Sequence, residues 1–293
     1  MKLTNIYNLP PALINAMSKD SYTKGASEYS ATGLLQPPKV ALLRKKYDDQ
    51  MEQDISEKAY TFLGTALHKV LEETLPPEGH TFEERLFAEL DGTTISGAID
   101  IQEETPFGVI IWDYKTTSVW AVMNEKMDWT WQLNMYKWFV EKAKGKRVVS
   151  LKICAFLRDW SKNGKGENYP KSSIVVVDLP VWSHEETEAF MRERLNAHKL
   201  AKDLAVLGEE FIPPCTDEER WMSETTYAVK REGRKTAIRV LTDEQEAKEM
   251  AEKEKGYVEI RSGEPRRCSG NYCGVAQWCT QYQPTTGDFR EIT

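Results

Sequence analysis

The chain has 293 residues, of which 40% are hydrophobic and 10% aromatic, enough to bury one large domain or a domain with an appendage. With 29% charged residues and a mean hydropathy of −0.57, it holds no apolar run near the roughly 18 residues that span a bilayer, which excludes an integral helical membrane protein. The net charge of −7 opposes a nucleic-acid surface spread over the whole molecule and restricts any DNA contact to local basic clusters.

Four such clusters stand out: Lys39/Arg44/Lys45/Lys46, Lys142/Lys144/Lys146/Arg147, Lys230/Arg231/Arg234/Lys235/Arg239 and Arg261/Arg266/Arg267. Each reads equally as a solvated face. Met1 to Pro11 lacks the basic-then-apolar order of a secretory signal, so an intracellular, cytoplasmic protein with reduced thiols is expected.

Residues 1–59 read as a mixed leader packed on the core, with Pro37-Pro38 opening a helix-like stretch through Val40, Leu42 and Leu43. From Tyr60 to Glu73, Phe62, Leu63, Ala66, Leu67, Val70 and Leu71 recur at helical spacing, and Pro76-Pro77 ends the run. Residues 83–118 read as a strand meander: Leu86 to Leu90, a turn at Asp91-Gly92, Thr94 to Gln102, a turn at Pro106 to Gly108, and Val109 to Lys115. A helix over Trp129 to Ala143, a strand over Val148 to Arg158, a loop over 161–172 and a strand over Ser173 to Leu179 follow. Beyond Trp182, helices are expected over Glu185 to Leu207 and Asp243 to Lys255, then a cysteine-containing tail with little regular pattern. The expected fold class is α/β, a central mixed sheet flanked by helices, divided as leader 1–59, core 60–182 and helical C-terminal region 183–293.

Asp113 and Lys115 are two apart on a strand, so both side chains leave the same face. They close the apolar run Val109-Ile110-Ile111-Trp112, where two charges are costly unless they serve a site. Asp100 on the preceding strand supplies a second carboxylate. A hard divalent cation held by such groups polarises a phosphodiester, and a nearby lysine orients or deprotonates the attacking water. His68 lies one helical turn after Gly64, whose small size leaves room on that face, and Gln132 and Tyr136 share a face of the next helix.

The motif order Gly64-x3-His68, Gly97-x2-Asp100, Asp113-Tyr114-Lys115-Thr116, Gln132-x3-Tyr136 resembles the RecB-like branch of the PD-(D/E)XK nucleases. That branch includes CRISPR-associated RecB-like nucleases, AddB-type nuclease domains and phage-encoded exonucleases. The resemblance implies that His68, Asp100 and Asp113, with the carbonyl of Tyr114, bind Mg2+ or Mn2+. It also implies that Lys115 is the catalytic lysine and that Gln132 and Tyr136 position DNA. Glu84 or Glu89 is expected to add an acidic group.

Of five cysteines, Cys154 sits in an apolar strand as a core residue. Cys215, Cys268, Cys273 and Cys279 form a tetrathiolate set that suits either Zn2+ or an iron-sulfur cluster. In the resembling nucleases one upstream cysteine and three near the C-terminus hold a [4Fe-4S] cluster, and such a staple would close a long loop. Leu34-Leu35-Gln36-Pro37-Pro38, Phe156-Leu157-Arg158-Asp159-Trp160 and Pro214-Cys215-Thr216-x4-Trp221 resemble phage-encoded members and imply a metal-dependent DNA exonuclease of recombination, repair or replication. An endonuclease of the same superfamily and a non-catalytic DNA-binding or helicase-partner subunit are the alternatives. Homo-oligomerisation is left open. No G-x-x-x-x-G-K-[ST] loop occurs, so any unwinding motor is a separate partner.

Overall fold

The computed structural model describes residues 1–19, 25–124 and 126–282; the end of the expected C-terminal region, 283–293, lies outside the described residues. In chain order the elements are β1 (Lys2–Thr4), α1 (Pro11–Ser18), β2 (Tyr29–Ser30), α2 (Ala31–Leu34), α3 (Pro38–Lys46), β3 (Glu52–Asp54), α4 (Ala59–Glu72), β4 (His80–Leu90), β5 (Thr93–Thr105), β6 (Gly108–Thr117), α5 (Val119–Met123), α6 (Met127–Lys144), β7 (Val148–Leu157), β8 (Ile174–Leu179) and α7 (His184–Ala205). They are followed by β9 (Thr226–Lys230), β10 (Arg239–Leu241), α8 (Glu244–Lys253), β11 (Tyr257–Arg261) and α9 (Arg266–Ser269).

Two compact units form: residues 1–36 with 48–200, and residues 37–47 with 201–293. The grouping differs from a leader, core and tail in sequence order. The stretch Pro37–Tyr47, which includes α3, joins the C-terminal unit, where Tyr47 stacks on Trp278 with ring centroids 5.0 Å apart.

In the first unit β4, β5, β6, β7 and β8 form one mixed sheet, with β2 added alongside the start of β5. β4–β5 and β5–β6 are antiparallel, as their short turns predict, β7–β8 is antiparallel across a longer loop, and β6 and β7 are parallel and need a crossover. α6 provides it. Trp129, Leu133, Met135, Trp138, Phe139 and Val140 bury so much of its circumference that it is a central helix rather than a surface one. The chain after β8 covers it: Asn134 donates to the Pro180 carbonyl (3.0 Å) and accepts from the Trp182 N–H (2.8 Å), and Trp131 meets Phe190 at 5.7 Å. The main core joins this helix to Ile95, Ile99, Ile111, Leu151 and Ile153 of the sheet.

Gly97 on β5 is required by this packing. A Cβ there would lie 2.8 Å from the Phe139 ring and 3.1 Å from Tyr136, both on α6. Gly97→Ala is expected to cost about 1–3 kcal/mol by overpacking, read as a lower urea midpoint at unchanged slope. A Cβ at Gly64 would meet nothing within 4 Å, so the face of α4 one turn before His68 is open. α4 buries no residue fully, and Leu63 and Val70 are exposed despite the helical spacing of its apolar side chains.

In the second unit, β10–β9–β11 form an antiparallel sheet that the sequence reading left as irregular chain. α8 packs on it, burying Val229, Leu241, Ala247 and Ala251, and Asp243 caps α8 by accepting the Glu246 N–H at 2.7 Å. Among the described residues no helix is long and apolar enough to cross a membrane.

Candidate active site

Sheet register aligns three carboxylates. On β4 and β5, Phe82 faces Ile101 and Glu84 faces Ile99, so Glu83 stands across from Asp100. On β5 and β6 the ladder runs to Ile101 facing Trp112 and stops, leaving Asp100 and Asp113 as the next pair. It stops because the Asp100 side chain replaces a backbone partner: its Oδ2 accepts the Tyr114 N–H at 2.8 Å. Asp100 is 8% exposed and Asp113 1%. Burial first, and Asp113 second, push the Asp100 carboxyl up to about 8.

His68 reaches this row from α4. Its Nδ1 lies 3.0 Å from Glu83 Oε1 and 3.6 Å from Asp100 Oδ2. The Glu83 hydrogen bond, opposed by burial, raises His68 to about 8. Candidate ligand atoms of His68, Glu83 and Asp100 lie within 4.8 Å of one another, as around a shared ion. The Lys115 ammonium pairs with Asp113 Oδ2, and that buried oxygen accepts no hydrogen bond. Asp113 Oδ1 accepts from Gln132 Nε2 at 3.2 Å, and the same amide donates to the Tyr136 hydroxyl at 2.8 Å. One imidazole and the carboxylates of Glu83, Asp100 and Asp113 form a donor set that fits a hard divalent cation such as Mg2+ or Mn2+.

All of His68, Asp100, Asp113, Tyr114, Lys115, Gln132 and Tyr136 thus gather where α4, β5, β6 and α6 meet. The acidic addition needs correction. Glu84 is held by Lys144 and by Gln102 (2.7 Å), and Glu89 sits six positions along β4 facing Thr94. The group at the site is Glu83, whose φ of +47° inside a strand is strained for a residue with a Cβ. A doublet of glutamates signalled acid here, but only the register with Asp100 distinguishes the two.

Arg158 and Asp159 do not serve each other. The Arg158 guanidinium stacks 4.0 Å over the Tyr60 ring, while Asp159 Oδ1 accepts the Val119 N–H at 2.7 Å and anchors α5. The basic cluster at 142–147 is largely spent within the sheet, Lys144 on Glu84 and Lys146 on Glu104.

In the second unit Cys215, Cys268, Cys273 and Cys279 line one cavity. Gln281 clamps the upstream cysteine: its side-chain amide accepts the Cys215 N–H (2.7 Å) and donates to the Cys215 carbonyl (2.8 Å). Burial pushes the Cys215 thiol up to about 12 and also raises Cys268, so these thiols are protonated until a metal displaces the proton. Among the described residues no three of these sulfurs lie within 4.8 Å of one another. Four thiols around one cavity suit a thiophilic metal or cluster. Cys154 stays apart on β7, opposite Tyr114 and Val176.

No curated protein matches the chain significantly. A solved structure of the protein SSO0001 is similar over 63% of this chain and 81% of its own, at 15% identity and a TM-score of 0.41. The model of the PD-(D/E)XK nuclease superfamily matches residues 40–280, which include α4, strands β4 to β8 of the mixed sheet and all four clustered cysteines. Since that match takes in most of the chain, and the carboxylate row with its lysine falls within it, the chain belongs to the PD-(D/E)XK nuclease superfamily.

Proposed function

We propose that the protein is a DNA exonuclease of the RecB-like branch, a phage-type enzyme of recombination, repair or replication whose core is residues 60–182. The observation that carries this reading is the convergence of His68, Asp100, Asp113 and Lys115 from α4, β5 and β6 on one buried point. His68, Asp100 and Asp113, with the Tyr114 carbonyl, hold Mg2+ or Mn2+, which supplies Lewis acidity toward the phosphate. Lys115, its ammonium held by the ion pair to Asp113, donates a hydrogen bond that orients the attacking water and offsets the negative charge that develops as the water is deprotonated. Gln132 fixes Asp113 and, with Tyr136, bounds the DNA path. The open space over Gly64 lets a phosphodiester strand approach the α4 backbone close to His68, and exposed Tyr60 and Trp120 offer rings on which unpaired bases can stack.

The four cysteines of the C-terminal region hold a [4Fe-4S] cluster on this reading, with Zn2+ as the alternative. Its role is structural.

The test is degradation of end-labelled single-stranded and duplex DNA and of closed circular DNA with Mg2+ or Mn2+. Loss of the labelled linear substrates with the circle intact is the exonuclease result. A cut circle makes the protein an endonuclease, and no cleavage of any substrate removes the catalytic reading.

A pH dependence follows from the raised values of His68 and Asp100. Between about 6.5 and 8 the folded, metal-free protein binds more protons at these groups than the unfolded chain does, so its stability falls as pH rises through this window. Metal requires both groups deprotonated, so its affinity moves the other way. Calorimetric titration with Mn2+ is expected to show tighter binding at pH 8 than at pH 6.5, with protons released to the buffer. Affinity independent of pH would contradict ligation by this pair.

A further inference from the structure

The cavity lined by the four cysteines is also lined by Lys39, Arg220 and Arg267, with Glu219 as its one acid among the described residues. Lys39 is 3% exposed. Among the described residues its ammonium bonds two neutral oxygens, the Ile212 carbonyl at 3.4 Å and the Thr280 hydroxyl at 3.2 Å. Glu209 acts on it electrostatically without a salt bridge, and a buried lysine whose contacts are neutral oxygens is expensive. The two arginines have the same deficit in part. Each has an Nε buried without a partner, although Arg220 pairs with Asp217 through another nitrogen and Arg267 donates to the Glu219 carbonyl at 3.1 Å.

Three cations facing four thiols make sense if the thiols are ionised in the working protein. Four thiolates carry more negative charge than either a zinc ion or an oxidised iron-sulfur core cancels, so the filled site is a net anion. We infer that Lys39, Arg220 and Arg267 are the built-in counter-charge of the thiolate-held group. The inference rests on the reading of Cys215, Cys268, Cys273 and Cys279 as its ligands. Lys39 has a second task, because Ile212 lies three residues before Cys215 and Thr280 directly follows Cys279: its ammonium ties together the two segments that must converge. This gives a physical reason for Pro37–Tyr47 to join a unit formed otherwise from residues beyond 200. Arg220 and Arg267 line the same cavity as Cys268, with Arg267 directly before it in the chain.

The experiment uses the full chain purified without oxygen. Iron, sulfide and zinc are measured, and then the release of the bound metal on adding excess EDTA is timed, for the wild type, Lys39→Met, Lys39→Arg, Arg267→Gln and Cys215→Ser. Methionine keeps the length and apolar stem of lysine without its charge. Lys39→Met and Arg267→Gln are expected to release metal roughly 10–100-fold faster, while Lys39→Arg stays near wild type. If iron is present, the two neutral variants also have more negative reduction potentials, since the reduced group carries an extra negative charge; a purely packing role would not move this. If Lys39→Met does not fold, Arg267→Gln decides. Wild-type release rates and potential in the neutral variants, with metal lost from Cys215→Ser, overturn the counter-charge and leave the cysteine ligands standing. A wild type that holds neither iron nor zinc after reconstitution removes both.

Discussion

Lys115→Ala lowers DNA cleavage by roughly 10²–10⁴-fold while Mn2+ binding is retained or tightened. The two readouts part because Lys115 is a cation beside a cation site. Its ammonium rests on Asp113 Oδ2, and with 26% of its side chain accessible it is positioned by that contact rather than entombed. Removing it takes away the group that orients the water and stabilises the charge developing on it, and leaves Asp113 with the single hydrogen bond from Gln132. A divalent ion then faces the same carboxylates without a competing charge. Single-turnover cleavage at saturating metal, set against calorimetric binding, separates these effects. Equal loss of binding and cleavage would make Lys115 a structural partner of Asp113 and not a catalytic residue. Asp113→Asn should instead lose both, because it removes a ligand.

Cys215→Ser is expected to strip the C-terminal unit of its bound metal and of its independent stability. The apolar cluster under α8 is small, built from Val229, Leu241, Ala247 and Ala251, and further buried apolar residues of the unit, Val40, Leu43, Ile212 and Val275, lie among the cysteine-bearing segments. A core of that size gives little net stability after chain entropy is counted. The remaining constraint is the cysteine lobe, where Gln281 and Lys39 prepare the geometry and the metal supplies the free energy, about 10–16 kcal/mol for structural zinc in small domains. Without it, trypsin should cut rapidly between residues 201 and 282, while 48–200 stays protected by the core around Trp138 and Phe139. Calorimetry should show the loss of one transition and the persistence of another. Unchanged proteolysis and unchanged metal content in Cys215→Ser would mean that the unit stands on its apolar packing and that Cys215 is not a ligand.

What could be read before folding was whatever is local along the chain. Helical spacing located α4 and α6, alternation with Asp91-Gly92 and Pro106 to Gly108 located β4, β5 and β6, and a two-residue offset put Asp113 and Lys115 on one face. The quartet of His68, Asp100, Asp113 and Lys115 was legible because each member lies in a short motif whose order along the chain is itself information. Glu83 was not, since period-2 patterning identifies a strand but not its register, and a shift of one residue exchanges Glu83 for Glu84. β9, β10 and β11 escaped for a related reason. Strands of three to five residues carry too few alternations to show a period, and pairing with one another and with α8 stabilises them. The apolar spacing of α4 misled in the other direction, because a periodic stripe reports a face that can be covered and not one that is. The burial of Lys39 beside four cysteines is the furthest from local logic: a residue in a basic run reads as solvated until tertiary packing sets it against the thiols, because burial is decided by segments 173 residues or more away along the chain.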